Sequence, residues 1–237
     1  GKSYKTGSVV KTIVTDKNGL ATTASNTLPY GTYKIREKNA PTGYLKEGIT
    51  ERTFTIRENG KIVDMTPVNV SIQDQVVRGD FALRKIDSET QRTMAYVPFK
   101  ITSKTTGESH VFRTDVNGYY SSSSAWNKHT YDTNGGNTDS GLWFGQYVDD
   151  NGDTQMTKAN DRLGALPFDT YIIEELRDES NIGYNLWSDE ITISRDNYVV
   201  DMNNVEDTPI HIHTTATNKD NGTKTVPAGS DAVITDN

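Results

Sequence analysis

The chain has 237 residues and a formal charge of −7, with acidic and basic side chains interspersed. This is length enough for two ordinary domains, and the charge pattern offers no footprint for nucleic acid or an anionic membrane. No run is apolar enough to span a bilayer as a helix, and cysteine is absent, so stability must come from a good core or from a crosslink other than a disulfide.

In chain order, the first landmark is a turn at Thr15-Asp16-Lys17-Asn18-Gly19. Leu28-Pro29-Tyr30-Gly31-Thr32-Tyr33-Lys34-Ile35-Arg36-Glu37 follows, and then Gly43-Tyr44. Alternate side chains of a strand share a face, so Tyr33, Ile35 and Glu37 point one way. A carboxylate on the face its neighbours bury must be neutral, paired or chemically employed, because burying it ionised and alone costs several kcal/mol. Phe54-Thr55-Ile56 and Ile62-Val63-Asp64-Met65 read as a strand pair, and Val70, Ile72 and Asp74 share a face on the last strand of this unit, residues 1–77.

The same landmarks then recur in the same order over residues 78–209. A first strand, Asp80 to Asp87, sets Phe81, Leu83 and Lys85 on one face. A turn at Thr114-Asp115-Val116-Asn117-Gly118 precedes a long insertion, about 119–163. Leu166-Pro167-Phe168-Asp169-Thr170-Tyr171-Ile172-Ile173-Glu174-Glu175 and Gly183-Tyr184 repeat the glutamate box. Ile191 to Ile193 and Val199 to Met202 repeat the strand pair, and the last strand runs on to Pro209, with Val205 and Asp207 in phase. The elements are short and rich in Val, Ile, Thr and Tyr, with turn residues between them and no sustained helical period, so the predicted fold is all-β, in tandem sandwiches.

Lys85, Glu175 and Asp207 form a candidate constellation. An apolar setting favours the neutral amine and the neutral carboxylic acid, a nucleophile and an electrophile, and a neighbouring carboxyl can move protons between them. The product is an amide between the first and last strands, formed in a single turnover. Glu174 is the competitor for Glu175, with opposite parity; Asn203 and Asn204 compete with Asp207 as acceptor.

The strand-lysine-x-aspartate opening, the Leu-Pro-x-x-Thr-Tyr-x-x-x-Glu box with its Gly-Tyr, and the terminal strand ending in Asp resemble the Cna B-type, or SpaA-type, domains of Gram-positive pilins and adhesins. The resemblance implies an inverse immunoglobulin-like sandwich with a spontaneous Lys–Asp or Lys–Asn isopeptide bond. It places Lys85, Glu175 and Asp207, or Asn204 as alternative acceptor, on the reacting positions, with Glu37 and Asp74 at the corresponding places of the first unit. There the chain begins too close to the Thr15 turn to supply a first strand, so the first unit is expected to be truncated and its bond to Lys2, Lys5 or Lys11 not to form. Thr105 to His110, Gly141 to Gly145 and Gly164 to Pro167 look like the SpaA-like domain that precedes VaFE repeats in large wall-anchored adhesins. Ile210 to Asn218 and Ala232 to Ile234, residues 210–237, resemble the start of such a repeat, with Thr214 or Thr215 as its threonine.

Other chemistry lacks the residues it needs. Asp149 to Asp153 lacks the Gly and Glu of an EF-hand, His211 and His213 share a strand face without a third ligand, and no catalytic triad or phosphate loop stands out, so no metal and no cofactor are expected. The insertion concentrates aromatics, among them Trp126, Trp143 and Phe144, amid Ser, Asn and Gly, which is recognition material or the packing of a long loop on its own sandwich. The expected function is a structural and adhesive segment of an extracellular, wall-attached surface protein, not a turnover enzyme. Its expected partners are neighbouring domains of the same chain and a host protein or glycan; the alternative is a host-binding module acting through the insertion.

Overall fold

The computed structural model describes residues 3–133, 141–148 and 151–212, together with the backbone of 216–218 and 234–236. Strands dominate it, and among the described residues the one helical element is a 3-10 turn at Glu179–Asn181. The first unit comprises β1 (Gly31–Arg36), β2 (Tyr44–Ile49), β3 (Glu51–Ile56) and β4 (Gln73–Val76), with β1 antiparallel to β3 and β2 antiparallel to β4. Tyr33 stacks on Phe54 at 5.6 Å.

The second unit is a sandwich. One sheet holds β5 (Arg78–Asp87) between β11 (Leu166–Pro167) and β14 (Val199–Asp207), with β8 (Tyr119–Ser121) also paired to β5. The other runs β13 (Ser188–Ile193), β12 (Asp169–Glu175), β6 (Pro98–Ser103), β7 (Ser109–Arg113). Phe81 and Leu83 from the first sheet meet Phe99, Ile101, Tyr171, Ile173 and Ile193 from the second, all 0–1% exposed. At that burial, truncating one aromatic to Ala costs about 3–5 kcal/mol.

β5 is covered on both faces, with only Arg84 exposed along its length. The core takes one face, and the insertion covers part of the other: Asp80 Oδ1 accepts from Ser122 Oγ at 2.8 Å and from the Ala165 N–H at 3.0 Å. β14 lies parallel to β5, pairing Val205 with Lys85 and Asp207 with Asp87 after an irregularity between Asp201 and Asn204. The chain's first and last strands of this unit are thus neighbours. Within the insertion, β9 (Gln146–Val148) pairs with β10 (Thr154–Met156), and beyond the sandwich β15 (Ala216–Asn218) pairs with β16 (Ile234–Asp236).

The repeat is visible in detail. Asp16 and Asp115 each accept from two backbone N–H groups of their own turns. The hydroxyls of Tyr33 and Tyr171 donate to the carbonyls of Pro29 and Pro167 at 2.6 and 2.8 Å. Thr32 meets Thr55 across the strands as Thr170 meets Thr192. Gly43 and Gly183 both sit at φ +86°, a left-handed conformation that a side chain strains.

Three expectations are corrected. Ile62 to Met65 forms no strand, because Asp64 accepts from the backbone and hydroxyl of Thr66 in a local turn that competes with pairing. Val70 lies in a turn closed onto the Pro67 carbonyl, so β4 begins later, at Gln73. In the second unit the two downstream strands do not pair with each other: β13 joins β12 and β14 joins β5, on opposite sheets.

Candidate functional site

β5 carries Lys85 inward behind Phe81 and Leu83, and its side chain has no exposure at all. Such a position is rare for a lysine unless its amine is paired. The amine forms a short hydrogen bond to Asp207 Oδ1 and lies 3.1 Å from Glu175 Oε2, and both carboxyl side chains are as completely buried. The rings of Phe99 and Trp187 flank it, each 5.7 Å from Nζ to centroid. These walls exclude water, which strengthens every charge and dipole interaction inside. One amine and two carboxyls from β5, β12 and β14 therefore meet in a dry cell.

Asp207 is pushed up to about 7, chiefly by burial and further by Glu175, with Lys85 opposing. Its Oδ2 is buried without a donor among the described residues. Both facts favour the neutral acid, which is the electrophilic form. Glu175 sits at the end of β12, where Oε1 accepts from Asn181 Nδ2 at 2.7 Å and Oε2 from the Trp187 N–H at 3.1 Å. Tyr184 of the Gly-Tyr turn donates to Asp87 Oδ2 at 2.7 Å, and this bond, with the backbone N–H groups of Glu89 and Thr90, holds the Asp87 carboxyl down to about 2. Asp87 thus stays ionised beside the site.

The competitors are placed elsewhere. Glu174 is exposed and faces Lys100 at 3.8 Å. Asn204 is exposed opposite Arg84, and Asn203 is exposed at φ +56° within the irregular stretch of β14. Sequence reasoning missed Asn181, Trp187 and Tyr184 as members of this site. Only the Gly-Tyr pair was visible as a motif, and the loop that carries Asn181 has no periodicity to betray a burial.

In the first unit, Glu37 and Asp74 face each other across the corresponding place. Glu37 Oε2 and Asp74 Oδ1 are buried without a donor among the described residues. The Glu37 carboxyl is raised from its ordinary value, by burial first and then by Asp74. Lys5 and Lys11 are exposed, and Lys2 lies outside the described residues, as do His213, Thr214 and Thr215.

The insertion corrects the expected recognition site. Trp143 and Phe144 are 2% and 1% exposed, because the insertion folds back on β5 and β7. The Arg78 guanidinium stacks on Trp143 at 3.7 Å and donates to the carbonyls of Phe144, Gly164 and Ala165. Glu108 accepts from the Gly145 and Gln146 N–H groups and meets His110 at 2.9 Å, with Thr133 on the other side of that imidazole. Trp126 alone of the three remains exposed, at 43%, packed edge-on against Tyr119. Among the described residues no three His, Asp or Glu converge as metal ligands.

Residues 2–71 match the SpaA family model, a prealbumin-like fold domain, and the match includes the first glutamate box and its Gly-Tyr turn. No curated protein matches the chain. Similar solved structures include the Bacillus anthracis TIE protein, at 15% identity and a TM-score of 0.49, covering 94% of this chain and 37% of that one. The minor pilin of Streptococcus agalactiae has 14% identity and a TM-score of 0.37, covering 84% and 68%. A streptococcal ancillary pilin has 16% identity and a TM-score of 0.33, covering 77% and 43%. The chain spans 37% of the first of these structures.

Proposed function

We propose that this chain is a structural segment of a Gram-positive cell-surface adhesin or pilin, displayed outside the cell on the wall, whose second sandwich is locked by a self-formed amide between Lys85 and Asp207. The observation that carries the reading is the completely buried Lys85 amine held between the oxygens of Glu175 and Asp207. The SpaA match over residues 2–71 supports it from the neighbouring unit.

In the reaction, the Lys85 Nζ lone pair attacks Cγ of the neutral Asp207 carboxyl. Glu175 takes a proton from the nitrogen and returns it to the departing Asp207 hydroxyl. A C–N bond forms, a C–O bond breaks, and one water leaves. Proton transfer by a positioned carboxyl is general acid–base catalysis, here spent once. Proximity supplies much of the rest, since both reactants are held in contact by strand pairing. No cofactor or oxidant enters this balance.

The bond would tie the first strand of the sandwich to the last, so tension applied along the chain would run through a covalent link instead of a ladder of hydrogen bonds. That suits a surface rod exposed to shear. Peptide mapping tests the reading: digestion of the full chain should yield a branched peptide joining the Lys85 and Asp207 segments. Recovery of both segments as separate linear peptides would overturn it, and a branch at Asn204 formed with loss of ammonia would move the acceptor.

A second reading, recognition of a host protein or glycan, keeps one specific support. Trp126, Tyr131 and Tyr147 of the insertion are 43%, 54% and 49% exposed. Aromatic anchors on a rigid sandwich suit binding.

A further inference from the structure

Asn181 is completely buried, and all of its side-chain valences are committed. Oδ1 accepts from the Asp178 N–H at 3.0 Å, while Nδ2 donates to the Leu176 carbonyl at 2.7 Å and to Glu175 Oε1 at 2.7 Å. A backbone N–H on one side demands the oxygen there, and a backbone carbonyl on another demands the NH2 group. Asn181 therefore always presents a donor to Glu175. The other carboxyl oxygen, Oε2, is the one 3.1 Å from Lys85 Nζ.

We propose that Asn181 is the positioning residue of the crosslinking reaction: its donated hydrogen bond fixes Oε2 of Glu175 against Lys85 and confines the shuttled proton to that oxygen. The inference rests on the reading of Lys85, Glu175 and Asp207 given above. A proton on Oε1 would confront the N–H of Asn181 at 2.7 Å, a closer contact than the 3.1 Å from the Trp187 N–H to Oε2, so the proton taken from Nζ favours the oxygen that can hand it to the Asp207 hydroxyl. Without this donor the carboxyl is held at Oε2, by the Trp187 N–H, and the oxygen remote from both reactants is open to carry the proton.

The turn that holds Asn181 is built independently of Glu175. Asp178 caps it, accepting from the Ser180 N–H at 2.7 Å, and Arg113 of β7 pairs with Asp178 at 2.6 Å. Arg177 donates to the Asn181 and Tyr184 carbonyls. The charged groups facing the Glu175 carboxyl are Lys85 and Asp207; those around the turn are Arg113, Arg177 and Asp178.

The test follows the full chain through cell-free synthesis, sampling intact mass over time, for wild type, Asn181→Asp and Asn181→Ala, with circular dichroism as the check on folding. Asn181→Asp keeps the shape and the acceptor for Asp178 but offers Glu175 a carboxylate where it had a donor. At about pH 7 its crosslinking should slow at least tenfold relative to wild type, the scale of losing one hydrogen bond to a charged group. At about pH 5 it should recover, because burial beside Glu175 raises the introduced carboxyl above its ordinary value, and once protonated it donates as the amide did. A merely structural role would slow the reaction alike at both pH values. Asn181→Ala, which restores no donor, should be slow at both, and decides the matter if the aspartate variant does not fold. A crosslinked wild type beside an Asn181→Asp variant reacting at the wild-type rate, or one that fails to recover in acid, would overturn this inference alone. A wild-type chain that keeps its full mass would overturn the crosslinking reading, and this inference with it.

Discussion

Lys85 is inward because it continues the phase of Phe81 and Leu83, and an inward lysine is tolerable only with partners. Glu175 and Asp207 share that logic, each in phase with core residues of its own strand. Glu175→Ala should therefore leave the sandwich folded and uncrosslinked. The link would close a loop of 122 residues, worth about 5 kcal/mol by the chain-entropy argument for disulfides. Calorimetry on the variant should find the melting temperature lower by roughly 10–20 °C; an unchanged melting temperature would count against the crosslink as a stabilising device.

The pH dependence follows from Asp207. Its folded pKa is raised to about 7, so the neutral acid is present below that value and is lost as pH rises through it. The carboxylate is a poor electrophile. The rate of mass loss in freshly made chain should accordingly hold at mildly acidic pH and fall above neutrality, and a rate that climbs steadily into the alkaline range would show that Asp207 does not react as its acid.

At the scale of elements, strand identity in the second unit was legible wherever apolar residues alternate: β5, β12 and the end of β14 all lie where their phase places them. The Asx-type turns at Asp16 and Asp115 were legible too, because Asp with a following Asn-Gly has a local mechanism. Pairing partners were not. Two neighbouring strand-like runs read as a hairpin, whereas β13 and β14 serve opposite sheets, and nothing local to either run encodes that choice. Nor could residue type alone say that Trp143 is held beneath Arg78 while Trp126 faces out; the difference is one of tertiary contact. Asn181 was hidden for the same reason, since its burial arises from a capped turn and from nothing periodic.

The insertion illustrates the consequence. Trp143 and Phe144 are part of the sandwich, tied by Arg78, Glu108 and Asp80 to strands on either side. Trp143→Ala should cost about 3–5 kcal/mol in denaturant unfolding, while the exposed Trp126→Ala should cost far less. Equal losses would mean that the insertion packs otherwise than described. Any adhesive role then falls to Trp126 and the exposed tyrosines.

Across the whole molecule, two units repeat the same turn, the same Tyr-to-Pro bond, the same cross-strand Thr pair and the same Gly at φ +86°. They differ at the reactive centre. Glu37 and Asp74 face each other without an amine among the described residues, where Glu175 and Asp207 flank Lys85, and Lys5 and Lys11 stand exposed. Peptide mapping should find Asp74 linked to neither, and a branched peptide at either lysine would require a different first unit.

The central claim is that an amine and a carboxyl of this chain become one amide without help. The intact mass of the purified full chain tests it most directly. One water less than the sequence requires, with the full mass restored by Lys85→Ala, is the result predicted; a wild-type chain at its unmodified mass would contradict it.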